Sequence, residues 1–254
     1  MSTGLNNPLN AKQIIFLILF SVFCCLLFVF NVPSEILRVT LYFYVVMIIR
    51  ILSGTLRKLP FYRRYRNFFR GLVMISSIVS IYLPFMFEGN WGSWSIAHIG
   101  IGFLVGFVFL VVDYKGIKKS IKGLRSKLPI KKNDRIRQMS LIAIDSVGEE
   151  LFFRGVLLFW LNHYLGVISV FIVSVAFFLS HYLHWKAQHI FLLKSYLFQF
   201  ILSIALGILF ILTESLLVCI VAHIVFNFRE MWVLLKRPTE SNVHEKPLFN
   251  DYEV

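Results

Sequence analysis

The sequence predicts an all-α polytopic membrane protein of about eight transmembrane helices, with a catalytic core in the last four. Three observations lead there. Of 254 residues, 58% are hydrophobic and only 15% charged, and the mean hydropathy of +0.75 lies far from the averages of soluble domains. Apolar runs of the roughly 20 residues needed to span a bilayer recur along the whole chain. The lysines and arginines behind the net charge of +13 concentrate in two connectors, as the positive-inside bias demands.

The expected spans are 13–32, 36–52, 71–87, 96–113, 139–160, 164–184, 190–213 and 215–235. The first follows a single positive residue, Lys12, and no small-residue cleavage site comes after it, so it reads as a retained helix and not a signal peptide. The turn residues of "NVPSE" separate it from the second, which runs into the basic stretch Arg57 to Arg70. The third closes at "EGNWGSWS", where Trp91 and Trp94 supply interfacial aromatics. Gly102 and Gly106 give the fourth a small-xxx-small spacing for close helix packing. A second basic connector, Lys115 to Arg137, precedes the fifth, and short connectors at Asn162–His163 and Thr213–Glu214 break up the remainder. Residues 1–138 therefore hold four helices with basic loops, 139–235 the core, and 236–254 a polar tail.

Both basic connectors follow even-numbered helices and share one side, which the positive-inside rule assigns to the cytoplasm with both termini. Charge confined to such loops meets anionic lipid head groups and argues against nucleic acid as a partner. Cys24, Cys25 and Cys219 lie in apolar segments and read as small hydrophobes.

Glu149 and Glu150 sit about ten residues into the fifth span, where an ionised carboxylate is costly unless it is paired or faces water. Arg154 is four residues beyond Glu150, the spacing at which helical side chains meet, so the two can neutralise one another. Glu149 is displaced about 100° around the helix and faces elsewhere. Phe177 stands four residues before His181 in the sixth span, and His223 four before Asn227 in the eighth. Taken singly, each is open to a plainer reading: a buried ion pair that fixes packing, or an intramembrane His or Asn that bonds a neighbouring helix. Taken together with the expected topology, Glu149, His181, His223 and Asn227 can converge in the cytoplasmic half of the bundle. A carboxylate, two imidazoles and a carboxamide around water are what amide hydrolysis needs: a base for the water, a proton for the leaving nitrogen, and donors to the oxyanion.

The order Glu-Glu-x-x-x-Arg, Phe-x-x-x-His and His-x-x-x-Asn, over about residues 139 to 228, resembles the CPBP family, the CAAX-protease and bacteriocin-processing intramembrane proteases also called the Abi family. That resemblance implies an endopeptidase in which Glu149 acts as base on water with His181, while His223 and Asn227 bind the oxyanion or water. Glu150, Arg154 and Phe177 then support the site. The Phe-, Ile- and Lys-rich usage and the small size suit a bacterial plasma membrane, and there the resemblance implies a membrane-associated peptide or protein as substrate, in bacteriocin self-immunity or peptide pheromone maturation. A divalent metal such as zinc, or no cofactor, is compatible with the residues. No His-Glu-x-x-His is present, "GSWS" at Gly92 lacks the second glycine of a rhomboid-like nucleophile motif, and there is no Gly-x-Gly-Asp. A small transporter is disfavoured because no pair of broken helices recurs in matching halves. A non-catalytic immunity or scaffold protein is the competing class. Asp145, four residues before Glu149 and on its face, either raises one carboxyl pKa by repulsion if both are dry or, near the cytoplasmic end of the helix, is solvated; His98, His184 and His189 read as interfacial or packing residues. Oligomeric state is left open.

Cysteine labelling of intact cells at position 119 is expected to reach the residue only from the cytoplasmic side; labelling from outside would overturn the orientation of every span.

Overall fold

The longest helical run begins in the basic connector and not after it. The computed structural model describes residues 94–122, 129–183 and 193–239, together with Gly92 and scattered helical positions between 14 and 48. In chain order these form α1 (Ile96–Val112), α2 (Tyr114–Lys122), α3 (Lys132–Glu150), a π-helical segment (Leu151–Leu158), α4 (Phe159–Leu165), α5 (Ile168–Leu183), α6 (Leu193–Thr213) and α7 (Leu216–Lys236). No strand occurs among the described residues; Ile130 and Thr239 meet in one isolated bridge. The third expected span, the Arg57 to Arg70 connector, Cys24, Trp91, His184 and His189 lie outside the described residues, and the first two spans are described only in part.

The expected fourth, sixth, seventh and eighth spans correspond to α1, α5, α6 and α7 within a few residues. Two boundaries differ. The fifth helix starts at Lys132 and not at 139, because its polar first turn supports itself in water: Asp134 lies at the positive end of the helix dipole and pairs with Arg137 at 2.9 Å. At its far end Asn162 and His163 remain helical within α4, and the turn falls at Gly166. Its φ of +55° is a conformation that glycine adopts without strain. Its N–H bonds back to the Asn162 carbonyl at 3.0 Å, and its own carbonyl accepts from the N–H and Oγ of Ser169 in the first turn of α5.

Among the described residues Tyr196–Thr213 and Leu216–Lys236 are each long and apolar enough to cross a membrane; α1 and α2, bent by 58°, qualify together as a third, and Ile168–Tyr182 is a shorter apolar helix. The run bearing the glutamates is not among these spans, since its charges lower its hydropathy.

The chain divides into two compact units, Met1–Gly92 with Gly148–Leu216, and Ser93–Val147 with Leu217–Val254. In the first, α5 and α6 pack antiparallel along a ladder of edge-on rings: Phe171 on Phe200, Phe178 on Phe200 and Tyr196, and Tyr182 on Tyr196, with centroids 5.4–6.2 Å apart. Val156, Leu158, Val173, Phe177, Leu202 and Leu206 are buried, while Phe171, Ile172, Leu197 and Ile201 are exposed, as residues facing lipid must be.

In the second unit α1 lies on α7 through its two buried glycines. A Cβ at Gly102 would stand 2.5 Å from the Val218 carbonyl oxygen, and one at Gly106 would stand 2.4 Å from that of Ala222. The small-xxx-small spacing is thus used for backbone approach. His223 and Asn227 fall roughly 140° around α7 from this contact at about 100° per residue. Phe103, Leu104, Phe107 and Val108 of α1 are exposed.

Gly106→Val should force the two helices apart and cost about 1–3 kcal/mol, the range of an overpacked interface. Unfolding of the purified protein in mixed micelles would measure this, and an unchanged midpoint would mean that the approach at Ala222 is not needed.

Candidate active site

Glu149 and Glu150 close the α-helical part of the run, and the π-helical turns begin with the next residue. A π bond reaches one residue further than an α bond, and such turns occur frequently at functional sites. Seven of the eight π-helical residues are buried. Within this wide turn Arg154 is fully buried and its Nη1 donates to Glu150 Oε1 at 2.9 Å, between side chains that are both 0% exposed. Its Nη2 donates to Ser203 twice, to the carbonyl oxygen at 3.0 Å and to Oγ at 2.9 Å. Three charge-assisted bonds thus compensate the guanidinium where water cannot.

Phe177 joins this network to the histidine. Its ring lies 5.1 Å from the Arg154 guanidinium carbon, packs edge-on to Phe153 at 5.0 Å, and faces the His181 imidazole at 4.4 Å. The Phe-x-x-x-His spacing is what stacks one ring on the other along a helix.

The Phe177 carbonyl also orients the histidine. It accepts from Ser180 Oγ at 2.7 Å and lies 3.0 Å from His181 Nδ1, which donates to it. In the neutral ring, Nδ1 carrying the proton leaves Nε2 with its lone pair. That atom stands 3.7 Å from Glu149 Oε2, with the two side chains 19% and 9% exposed. The first unit therefore brings together Glu149 and His181, two acceptors facing one small space, backed by Glu150, Arg154 and Phe177.

The second unit holds the other two expected residues. His223 is buried and Asn227 partly so. Asn227 Nδ2 donates to Ser146 Oγ at 2.8 Å, and Ser146 in turn donates to the Ile142 carbonyl at 2.7 Å. One N–H of the carboxamide is thereby fixed, while its other N–H bonds no described residue. Two turns along from His223, Arg229 pairs with Asp113 at 2.6 Å and lies over the Phe226 ring at 4.2 Å.

Ser146, Ser203 and the Asp113–Arg229 pair are absent from the expectations of the sequence. Arg229 could have been found as a charge near the end of an apolar window, needing a partner. The serines carry no such signal, because serine is tolerated in membrane helices through its own i−4 carbonyl. As a metal site the Glu149–His181 pair supplies one carboxylate and one imidazole, where catalytic zinc takes three protein ligands; among the described residues no three His, Cys, Asp or Glu are grouped to hold an ion.

Residues 136–229 match the family described as "Type II CAAX prenyl endopeptidase Rce1-like". No curated protein and no solved structure matches the chain.

Arg154→Ala leaves Glu150 buried without its cation, and a cost of about 3–5 kcal/mol is expected. Ser203→Ala removes one of three bonds and should cost about 1 kcal/mol. Yield of monodisperse protein and thermal unfolding in detergent test both; if Arg154→Ala folds normally and only turns over slowly, the arginine belongs to the chemistry.

Proposed function

From an Rce1-like domain over residues 136–229, consistent with the CPBP and CAAX protease family, we propose that the protein is an intramembrane endopeptidase that cleaves a peptide bond in a membrane-associated peptide or protein. One observation carries the mechanism. His181 is tied by Nδ1 to the Phe177 carbonyl, and its Nε2 faces Glu149 Oε2 at 3.7 Å. A water between them can donate one proton to each acceptor, which leaves an oxygen lone pair directed at a substrate carbonyl.

As the C–O bond forms, Glu149 takes the water proton and the carbonyl oxygen becomes an oxyanion. The resemblance to the CPBP family assigns His223 and Asn227 to stabilise that charge, and such donors are worth on the order of 10²-fold or more in rate each. Collapse of the intermediate breaks the C–N bond, and the proton on Glu149 passes to the leaving nitrogen. Glu150, Arg154, Phe177 and Ser203 hold the geometry. Glu149 and His181 are 9% and 19% exposed, which admits water to the pair while strengthening each electrostatic contact relative to bulk solvent.

The biological settings that suit this chemistry are bacteriocin self-immunity and maturation of a peptide pheromone, at a bacterial plasma membrane with both termini cytoplasmic. Whether the chain acts instead as a non-catalytic immunity scaffold is decided by the same experiment.

Glu149→Gln keeps size and hydrogen bonding but removes the proton acceptor, so turnover should fall by roughly 10²- to 10⁴-fold. The assay is full-length protein in nanodiscs with a lipid-anchored fluorogenic peptide, at matched folding. Cleavage by Glu149→Gln at the wild-type rate would remove this carboxylate from the mechanism, and a cellular phenotype that survives the substitution would favour the scaffold.

A further inference from the structure

At the end of α1 the chain turns sharply. The 17 residues of Ile96–Val112 extend about 25 Å, close to the hydrocarbon thickness of a bilayer. The axis then bends by 58° into α2, Tyr114–Lys122. The bend is built and not incidental. Asp113 caps α1 through its N–H to the Phe109 carbonyl, and its own carbonyl accepts the first bond of α2 from the Ile117 N–H. Its carboxylate folds back over Gly116, where a Cβ would meet Oδ1 at 2.5 Å. The same carboxylate binds Arg229 of α7 at 2.6 Å.

The direction in which α2 leaves fits its composition. At about 100° per residue, Tyr114, Ile117 and Ile121 fall within an arc of about 60°, and the four lysines within a separate arc of about 100°. Lys115, Lys118, Lys119 and Lys122 are all at least partly exposed and none forms an ion pair with a described residue. Tyr114 is 62% exposed, and Ile117 and Ile121 are partly so. A helix with an apolar edge and a lysine face, starting at a sharp bend where a 17-residue apolar helix ends, has the pattern of one lying in the head-group plane. Four exposed ammonium groups there select negative charge.

We propose that α2 is an interfacial helix that binds the anionic head groups of its own bilayer, with Tyr114, Ile117 and Ile121 toward the acyl chains and the four lysines on the phosphates. The Asp113–Arg229 pair fixes the angle at which α2 meets that surface and ties it to α7. This assignment is independent of peptidase activity and stands or falls without it.

The test uses the full chain with Cys24, Cys25 and Cys219 replaced by Ala, spin-labelled at Ile117→Cys or Lys119→Cys and placed in nanodiscs. One set is phosphatidylcholine alone and the other includes phosphatidylglycerol. With the anionic lipid, the label at 117 should collide with oxygen and be shielded from a water-soluble nickel chelate, while the label at 119 should be open to the chelate. In phosphatidylcholine alone or at high salt, the shielding at 117 should be lost, reflecting a fall of up to about 10²- to 10³-fold in the partition of α2 onto the surface. Lys→Gln at 115, 118 and 122 should reproduce that loss in the mixture, and Lys→Arg should preserve the shielding. Should the Gln variant not fold, the lipid comparison on native lysines decides. A label at 117 that is open to the chelate in the mixture overturns the proposal. So does one shielded from both probes, which would place it inside protein, or one with the same profile in both lipids, which would mean insertion without head-group recognition.

Discussion

Arg154 is the group on which the first unit depends, because a guanidinium with no exposed surface must find its partners inside the protein. It takes them from three directions: Glu150 one turn earlier on its own helix, both oxygens of Ser203 on α6, and the face of Phe177 on α5. Each of those contacts fixes an element that does something else. Phe177 also packs against the ring of His181, and its carbonyl sets which nitrogen of that ring bears the proton. The distance between Glu149 and His181 is thus inherited from a charge that takes no part in facing them.

The glutamates show how adjacent residues of one type acquire different tasks. Glu150 and Glu149 differ by a single position and about 100° of rotation. Glu150 is spent against Arg154 in a dry interior, whereas Glu149 lies beside an imidazole with a small share of its surface still accessible. A lone carboxylate at that depth would be unstable as an anion. The neighbouring Glu150–Arg154 pair compensates its own charge in the dry interior, and Glu149 keeps the imidazole beside it.

Much of this is legible in the sequence because cost in a membrane makes polar residues conspicuous. Glu149, Glu150, Arg154, His181, His223 and Asn227 stand out because each is expensive among apolar neighbours, and the ion pair because helical spacing is rigid. Gly102 and Gly106 are legible for a related reason, since only a missing side chain permits the approach to α7. The features that leave no signal are either cheap or continuous. Ser146 and Ser203 satisfy themselves in any helix, so their longer-range bonds to Asn227 and Arg154 leave no trace in composition. The start of α3 is hidden because its first turns are polar and merge into a basic connector. The turn at Gly166 is masked by Asn162–His163, since a polar pair resembles a break even where the backbone remains helical.

The π-helical segment also affects how this chain lines up with others. Each of its turns consumes more residues than an α turn for the same chemical outcome at Arg154, so Leu151–Leu158 behaves as stored length inside an otherwise regular helix. A homologous chain with ordinary α geometry there would reach the equivalent of Gly166 with fewer residues. Residue-by-residue alignment would then slip between the arginine and the following turn, although both ends correspond. The spacing from Glu150 to Arg154 is set by side chains that must touch, but the spacing from Arg154 to His181 is set by how many residues the backbone winds in between, and is free to vary.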